Sequence, residues 1–206
     1  MSAHAATRTG PLARSDLGVG LWVFMAVAST LFALFIAAYA MRMAGSDWSS
    51  IALPWQLGLS TALLAAGSVA MQVAAHAARG AAWLPARGWL LAGGACAAGF
   101  LGVQLWAWQA LLEAQVGVAG NPAASFFYLL TAMHGLHVMG GLIAWSFAAR
   151  AVAMLLDDPA RAALGIVLCA RYWHFLLGVW LALLATLAFV TPAFVAWICG
   201  PLGIVR

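Results

Sequence analysis

Few side chains in this 206-residue chain could do chemistry, and most of them lie on two stretches. The first runs from Ser125-Phe126-Phe127-Tyr128 through His134-Gly135-Leu136-His137 to Gly140-Gly141. Its two imidazoles are three residues apart, so on a helix they share a face, and the glycines thin the backbone around them. The second stretch is Tyr172-Trp173-His174-Phe175 with Trp180, directly after Arg171. His76 is the other histidine inside an apolar run. Zinc sites usually take three or four His, Cys or carboxylate ligands, so His134 and His137 fall short unless His174 or His76 joins them. Haem could take one axial histidine from the first stretch and His174 from the second. The reading favoured by the residues is plainer: the imidazoles hydrogen-bond between helices and fix packing, with an interface or lipid-headgroup role as a further option. Cys96, Cys169 and Cys199 are isolated, without CxxC spacing, and read as small packing residues. No metal site is expected.

The elements that must hold these groups are membrane helices. The chain is 66% hydrophobic and 7% charged, with a mean hydropathy of +1.01, whereas ordinary globular chains are about 25% charged. A membrane β-barrel would show alternation rather than long apolar runs. About 20 apolar residues cross a bilayer, and five such spans are expected: Leu17 to Met41, capped by Asp16; about Trp55 to Ala78, after Pro54; about Gly88 to Leu112; about Ala123 to Ala149, closed by Arg150; and one from after Pro159 to about Cys199, long enough to project from the membrane or bend near Pro192. Residues 1–16 read as a disordered tail, and 17–206 as one all-α bundle without an internal repeat.

All nine basic residues are arginine. Arg8, Arg14, Arg79, Arg87, Arg150 and Arg161 fall on one side of the alternating spans, with Arg171 nearest to it, while Arg42 and Arg206 fall on the other. The positive-inside rule then places the N-terminus in the cytoplasm and the C-terminus outside. Trp48, Trp55, Trp83, Trp89 and Trp197 fit interfacial belts. No basic cluster interleaves with aromatics, so nucleic acid is not an expected partner. No span holds an Asp or Glu, which speaks against a carboxylate proton relay within the chain.

Four positions read as lipid or partner contacts. Arg171 lies about 15 Å beyond Arg161 on a continuous helix, and snorkelling to the cytoplasmic interface is favoured over a partner or a lipid phosphate. Trp106 and Trp108 read as an interfacial pair, and His76 joins them near the end of its span. Gly93-Gly94, Gly99, Gly102, Gly135 and Gly140-Gly141 suggest close helix contact.

Taken together, the His134-Gly135-Leu136-His137-Val138 stretch with Gly140-Gly141 and the Tyr172-Trp173-His174-Phe175 stretch with Trp180 resemble subunit III of haem-copper terminal oxidases. Weaker echoes include Trp22, Phe24 and Tyr39 in span one, Ser60-Thr61 and Ser68 in span two, and Phe100, Gln104 and Trp108 in span three. The length is similar to that of the short five-helix bacterial form. The resemblance implies a multi-pass subunit of the bacterial inner membrane that is not itself catalytic. It implies no haem or copper in this chain, with both expected in partner catalytic subunits I and II. It also implies bound phospholipid, and support of electron transfer from cytochrome c to oxygen coupled to proton translocation. Three acids of the family pattern are replaced, by Ala28, Ala107 and Leu177. Their loss leaves open a quinol oxidase, or an accessory or assembly role for a related nitric oxide reductase.

Overall fold

The computed structural model describes residues 11–154, 158–193 and 195, with the side chains of 11–15 excepted. Five long helices make up the fold: α1 (Pro11–Arg42), α2 (Gln56–Arg79), α3 (Trp83–Glu113), α4 (Pro122–Ala153) and α5 (Pro159–Phe189). All five are long and apolar enough to cross a membrane, and the described residues contain no strand. The chain is an all-helical, multi-pass membrane protein.

Local chemistry sets the helix limits. Asn121 Oδ1 accepts from the Ala124 amide at 3.0 Å, with Pro122 at the first helical position. Asp158 Oδ1 accepts from the Arg161 amide at 3.0 Å, followed by Pro159. Both are N-caps that satisfy otherwise orphaned donors. The ends of α2 and α3 share a backbone motif. Ala82 N–H reaches the Ala77 carbonyl and Ala81 N–H that of Ala78; Val116 reaches Leu111 and Gln115 reaches Leu112. This is the Schellman arrangement, whose left-handed position usually takes glycine. Here Ala81 (φ 56°) and Gln115 (φ 61°) occupy it.

Several boundaries differ from expectation. α1 starts at Pro11, a residue suited to a first helical turn, so Asp16 lies inside the helix and does not cap it. α3 starts at Trp83, because Pro85 falls in the first turn, where no intrahelical donor is lost. α4 continues past Arg150 to Ala153. α5 breaks after Phe189, where Val190 turns extended, because the residue before Pro192 is disfavoured in helix. Residues 192, 193 and 195 are helical again, so the expected bend near Pro192 is present. The N-terminal ten residues, Trp197, Cys199 and Arg206 lie outside the described residues.

In the bundle α2, α3, α4 and α5 pack in a ring, α2 on α3 and α5, α4 on α3 and α5. α1 rests on the outside against α5 and α4. Trp173, Trp180, Phe100 and Phe127 fill the centre. Three glycines let helices approach. A Cβ at Gly141 would sit 2.9 Å from the Tyr172 ring, one at Gly93 would sit 2.8 Å from Met71 Cε, and one at Gly94 would overlap Trp145. Trp145 also donates from Nε1 to the Leu90 carbonyl at 2.8 Å. Gly67, which the pattern did not single out, faces Cys96 and the Gly93 carbonyl. Gly99 and Gly135 make ordinary contacts. Gly102 and Gly140 face open space and mediate no close approach.

Candidate functional site

The two motif stretches meet at the contact of α4 with α5 and α1. His134 is completely buried. Its ring lies among Trp180 (5.2 Å between centroids), Phe100 (5.5 Å) and Phe32 (6.3 Å). Neither ring nitrogen finds a hydrogen-bond partner among the described residues. His137 sits one turn on, against Phe32 at 5.2 Å and Phe24 at 6.0 Å. Its Nδ1 lies 2.7 Å from the Met133 carbonyl. A carbonyl only accepts, so that nitrogen carries the proton. Sharing Phe32 confirms that both imidazoles face the same side.

Tyr172 ties the motifs together. Its hydroxyl donates to the His137 backbone carbonyl at 3.0 Å, over the gap that Gly141 leaves. Trp173 is fully buried beside it, and Phe175 stacks on the Tyr172 ring at 6.0 Å. Trp180 donates from Nε1 to Thr61 Oγ1 on α2 at 2.8 Å.

His174 turns the other way. Its Nε2 donates to Gln72 Oε1 at 3.0 Å, and its Nδ1 accepts from the Ser68 hydroxyl at 2.5 Å. Both nitrogens are thus committed to α2, away from His134 and His137, and the described residues bring no three His, Cys, Asp or Glu side chains together. Gln72 was not among the candidate residues that the sequence singled out. The four-residue spacing of Ser68, Gln72 and His76, which puts three polar side chains on one face of α2, was the available signal.

Arg171 and His76 are exposed. Trp106 is half exposed and pairs edge-on with Trp55 at 5.1 Å. Trp108 does not join it as an interfacial anchor. Residues two apart point to nearly opposite sides of a helix, and Trp108 turns inward to donate to Thr131 Oγ1 at 3.1 Å. Ala28 and Ala107 are buried in the core, and Leu177 is partly buried. Gln104, another family echo, is buried with neither side-chain polar atom paired among the described residues.

Beside the histidine seam lies a groove of about 810 Å³ between α1, α4 and α5. Leu21, Phe24, Phe147 and Leu168 make it apolar; Asp158 and Arg161 stand at one end, Tyr172 and Trp173 at the other.

A probable cytochrome c oxidase subunit 3 from Nocardia farcinica is 31% identical over 179 residues, covering 84% of this chain and 88% of its own length. The chain belongs to the cytochrome c oxidase subunit 3 family. The corresponding Mycobacterium tuberculosis protein is 32% identical over 181 residues, again covering 84% of this chain and 88% of its own length. The subunit 3 family extends here to quinol enzymes: a cytochrome bo(3) ubiquinol oxidase subunit 3 from Pseudomonas aeruginosa is 29% identical over 167 residues, 79% of each chain. No family model matches the sequence. This subunit 3 homologue is therefore a component of a haem-copper oxidase, which functions as a complex with other oxidase subunits.

Proposed function

We propose that the chain is a non-redox supporting subunit of a bacterial inner-membrane oxidase that carries electrons from cytochrome c to oxygen while translocating protons. Haem and copper reside in catalytic subunits I and II, and this chain carries no electrons. The observation behind this reading is the Tyr172–His137 bond over Gly141. It spends the family motifs on joining α4 to α5, with the imidazole of His134 packed among rings. The N-terminus is cytoplasmic on this reading, as the arginine distribution supports.

The groove between α1, α4 and α5 holds a phospholipid. From Arg161 to Tyr172 it follows α5 for about 17 Å, and its apolar walls suit an acyl chain, while Arg161 at its end suits a phosphate. The loss of carboxylates at Ala28, Ala107 and Leu177 removes the groups through which such a subunit could bind or deliver protons, and leaves structural support.

A tag on this chain, used in its own host, tests the reading. It should recover subunits I and II with a haem spectrum belonging to them, while the chain expressed alone shows no Soret band. A stoichiometric Soret band on the chain alone would overturn it. The Pseudomonas relative named as a ubiquinol oxidase subunit favours a second reading for the electron donor. Oxidation of quinol but not cytochrome c by the recovered complex would select it.

A further inference from the structure

We propose that the face of α2 and α5 around Arg171 docks a transmembrane helix of a partner subunit, which presents a carboxylate to Arg171 near the bilayer centre. The proposal rests on the reading of the chain as one subunit of an oxidase.

Depth carries the argument. The midpoint of α2 (Gln56–Arg79) falls at Gly67 and Ser68, and that of α5 (Pro159–Phe189) at His174. Ser68 and His174 are hydrogen-bonded at 2.5 Å, so the two helices cross at their centres. They run antiparallel, since Trp180 bonds Thr61 while His174 bonds Ser68 and Gln72. Arg171 lies three residues from His174, about 4.5 Å along the axis. The hydrocarbon half-thickness is about 15 Å. About 10 Å of lipid tail then separates the Arg171 backbone from the headgroups, more than an arginine side chain spans, so neither snorkelling nor a lipid phosphate meets its charge.

The surroundings are polar and open. Gln72 and His76 are exposed one turn apart on α2, and Arg171 and His174 one turn apart on α5, with the His174–Gln72 bond joining the two exposed faces. Arg171 pairs with no carboxylate among the described residues. The Arg42–Asp47 pair is elsewhere, Glu113 ends α3 and Asp158 caps the far end of α5. A guanidinium facing hydrocarbon at this depth is costly, so the face is covered in the working assembly. A carboxylate on a protein helix reaches that depth and matches the guanidinium fork.

A photo-crosslinking residue in place of Gln72, with Arg171 intact, tests this in membranes of the native host. The expected product is an adduct with a membrane subunit of the oxidase, its attached peptide carrying Asp or Glu. Arg171→Leu should lower that adduct and the recovered partner at least tenfold, while the chain itself stays at its normal level in the membrane. Arg171→Asp should do the same, with recovery when the partner's acid becomes Arg. Lipid-only adducts, or full partner recovery with Arg171→Leu, would overturn the proposal. An adduct with a protein that belongs to no oxidase would keep the docking face and remove the oxidase reading instead.

Discussion

The hydroxyl of Tyr172 donates to the backbone carbonyl of His137 at 3.0 Å, across a space that only a glycine at 141 leaves open. A phenol and a backbone group, rather than the imidazole, therefore join the two motif helices. This contact can be graded by adding single methyl groups. A Cβ at Gly141 would sit 2.9 Å from the Tyr172 ring and 3.3 Å from Trp173, whereas one at Gly140 meets nothing within 4 Å. Gly141→Ala should cost about 1–3 kcal/mol, the usual range for overpacking, and Gly140→Ala less than about 0.5 kcal/mol. Thermal unfolding of the purified chain in detergent checks the difference.

The link between α2 and α5 is expected to be cooperative and modest. His174 engages Ser68 and Gln72 at once. Interhelical hydrogen bonds in membrane proteins are worth about 0.6 kcal/mol on average and up to about 1.7. A double-mutant cycle of Ser68→Ala and His174→Ala should return a coupling energy within that range. Strict additivity would mean that the 2.5 Å contact contributes no stability.

For His134 the enclosure by Trp180, Phe100 and Phe32 makes shape the property that counts. With no partner for either nitrogen among the described residues, an apolar ring of similar size removes a desolvation penalty rather than a bond. His134→Phe should be neutral to stabilising. His134→Ala should lose about 2–5 kcal/mol, as for other large-to-small core changes. A reversed order in urea or thermal unfolding would assign the imidazole a polar duty.

Span number, apolar class and the pairing of the two motif stretches were legible because each depends on local pattern: long apolar runs, and histidines or aromatics at helical spacing. Helix ends were less legible. Asn121-Pro122 has the residue types of an N-cap and a first helical position, but the end of α5 depends on Thr191-Pro192 acting within a run that remains apolar to Cys199. What the pattern could not give was the direction in which like residues turn. Trp106 and Trp108 look alike in sequence and face opposite ways, and His174 resembles His134 while serving a different helix. Those directions depend on which helices are neighbours, which is a property of the bundle. Gly67 was overlooked because a single glycine signals a close approach only once Cys96 and Gly93 lie opposite it.

The turns after α2 and α3 store strain that can be released. Ala81 and Gln115 hold left-handed φ angles of 56° and 61°, which cost an L-residue about 1–2 kcal/mol. Glycine removes that cost but adds freedom to the unfolded chain, worth about 0.4–1 kcal/mol. Ala81→Gly and Gln115→Gly should therefore each stabilise by up to about 1 kcal/mol, with higher unfolding midpoints. A loss of more than 1 kcal/mol at either site would place its side chain in a contact outweighing the strain.

Asp47 offers a pH readout outside the membrane spans. The hydrogen bond from Arg42, at 2.5 Å, holds its carboxyl below the ordinary value of 3.8. A depressed carboxyl stabilises the loop above its unfolded value, and that contribution is lost as pH falls through the folded value. Both groups are solvent-exposed, so the effect on stability should be small and should shrink in high salt. A carboxyl-carbon NMR titration of the chain in detergent should give Asp47 a midpoint below that of a free aspartate. Arg42→Gln should return it to the ordinary value, and an unchanged midpoint in that variant would show that Arg42 is not the cause.

The lipid groove can be blocked without touching the seam. Gly140 lines the groove and a Cβ there meets nothing within 4 Å, so a larger side chain extends into the space that an acyl chain would occupy. Gly140→Leu should leave the fold intact, because the Tyr172–His137 bond and Gly141 lie on the packed side. It should reduce retained phospholipid by one molecule per chain in native mass spectrometry of the purified complex. Removing the cation, as in Arg161→Gln, should weaken retention of anionic lipid more than of zwitterionic lipid, whose headgroup amine already offsets the phosphate charge. If Gly140→Leu retained as much lipid as the wild type, the groove would not be the site, whatever the family resemblance implies about lipids elsewhere on the subunit.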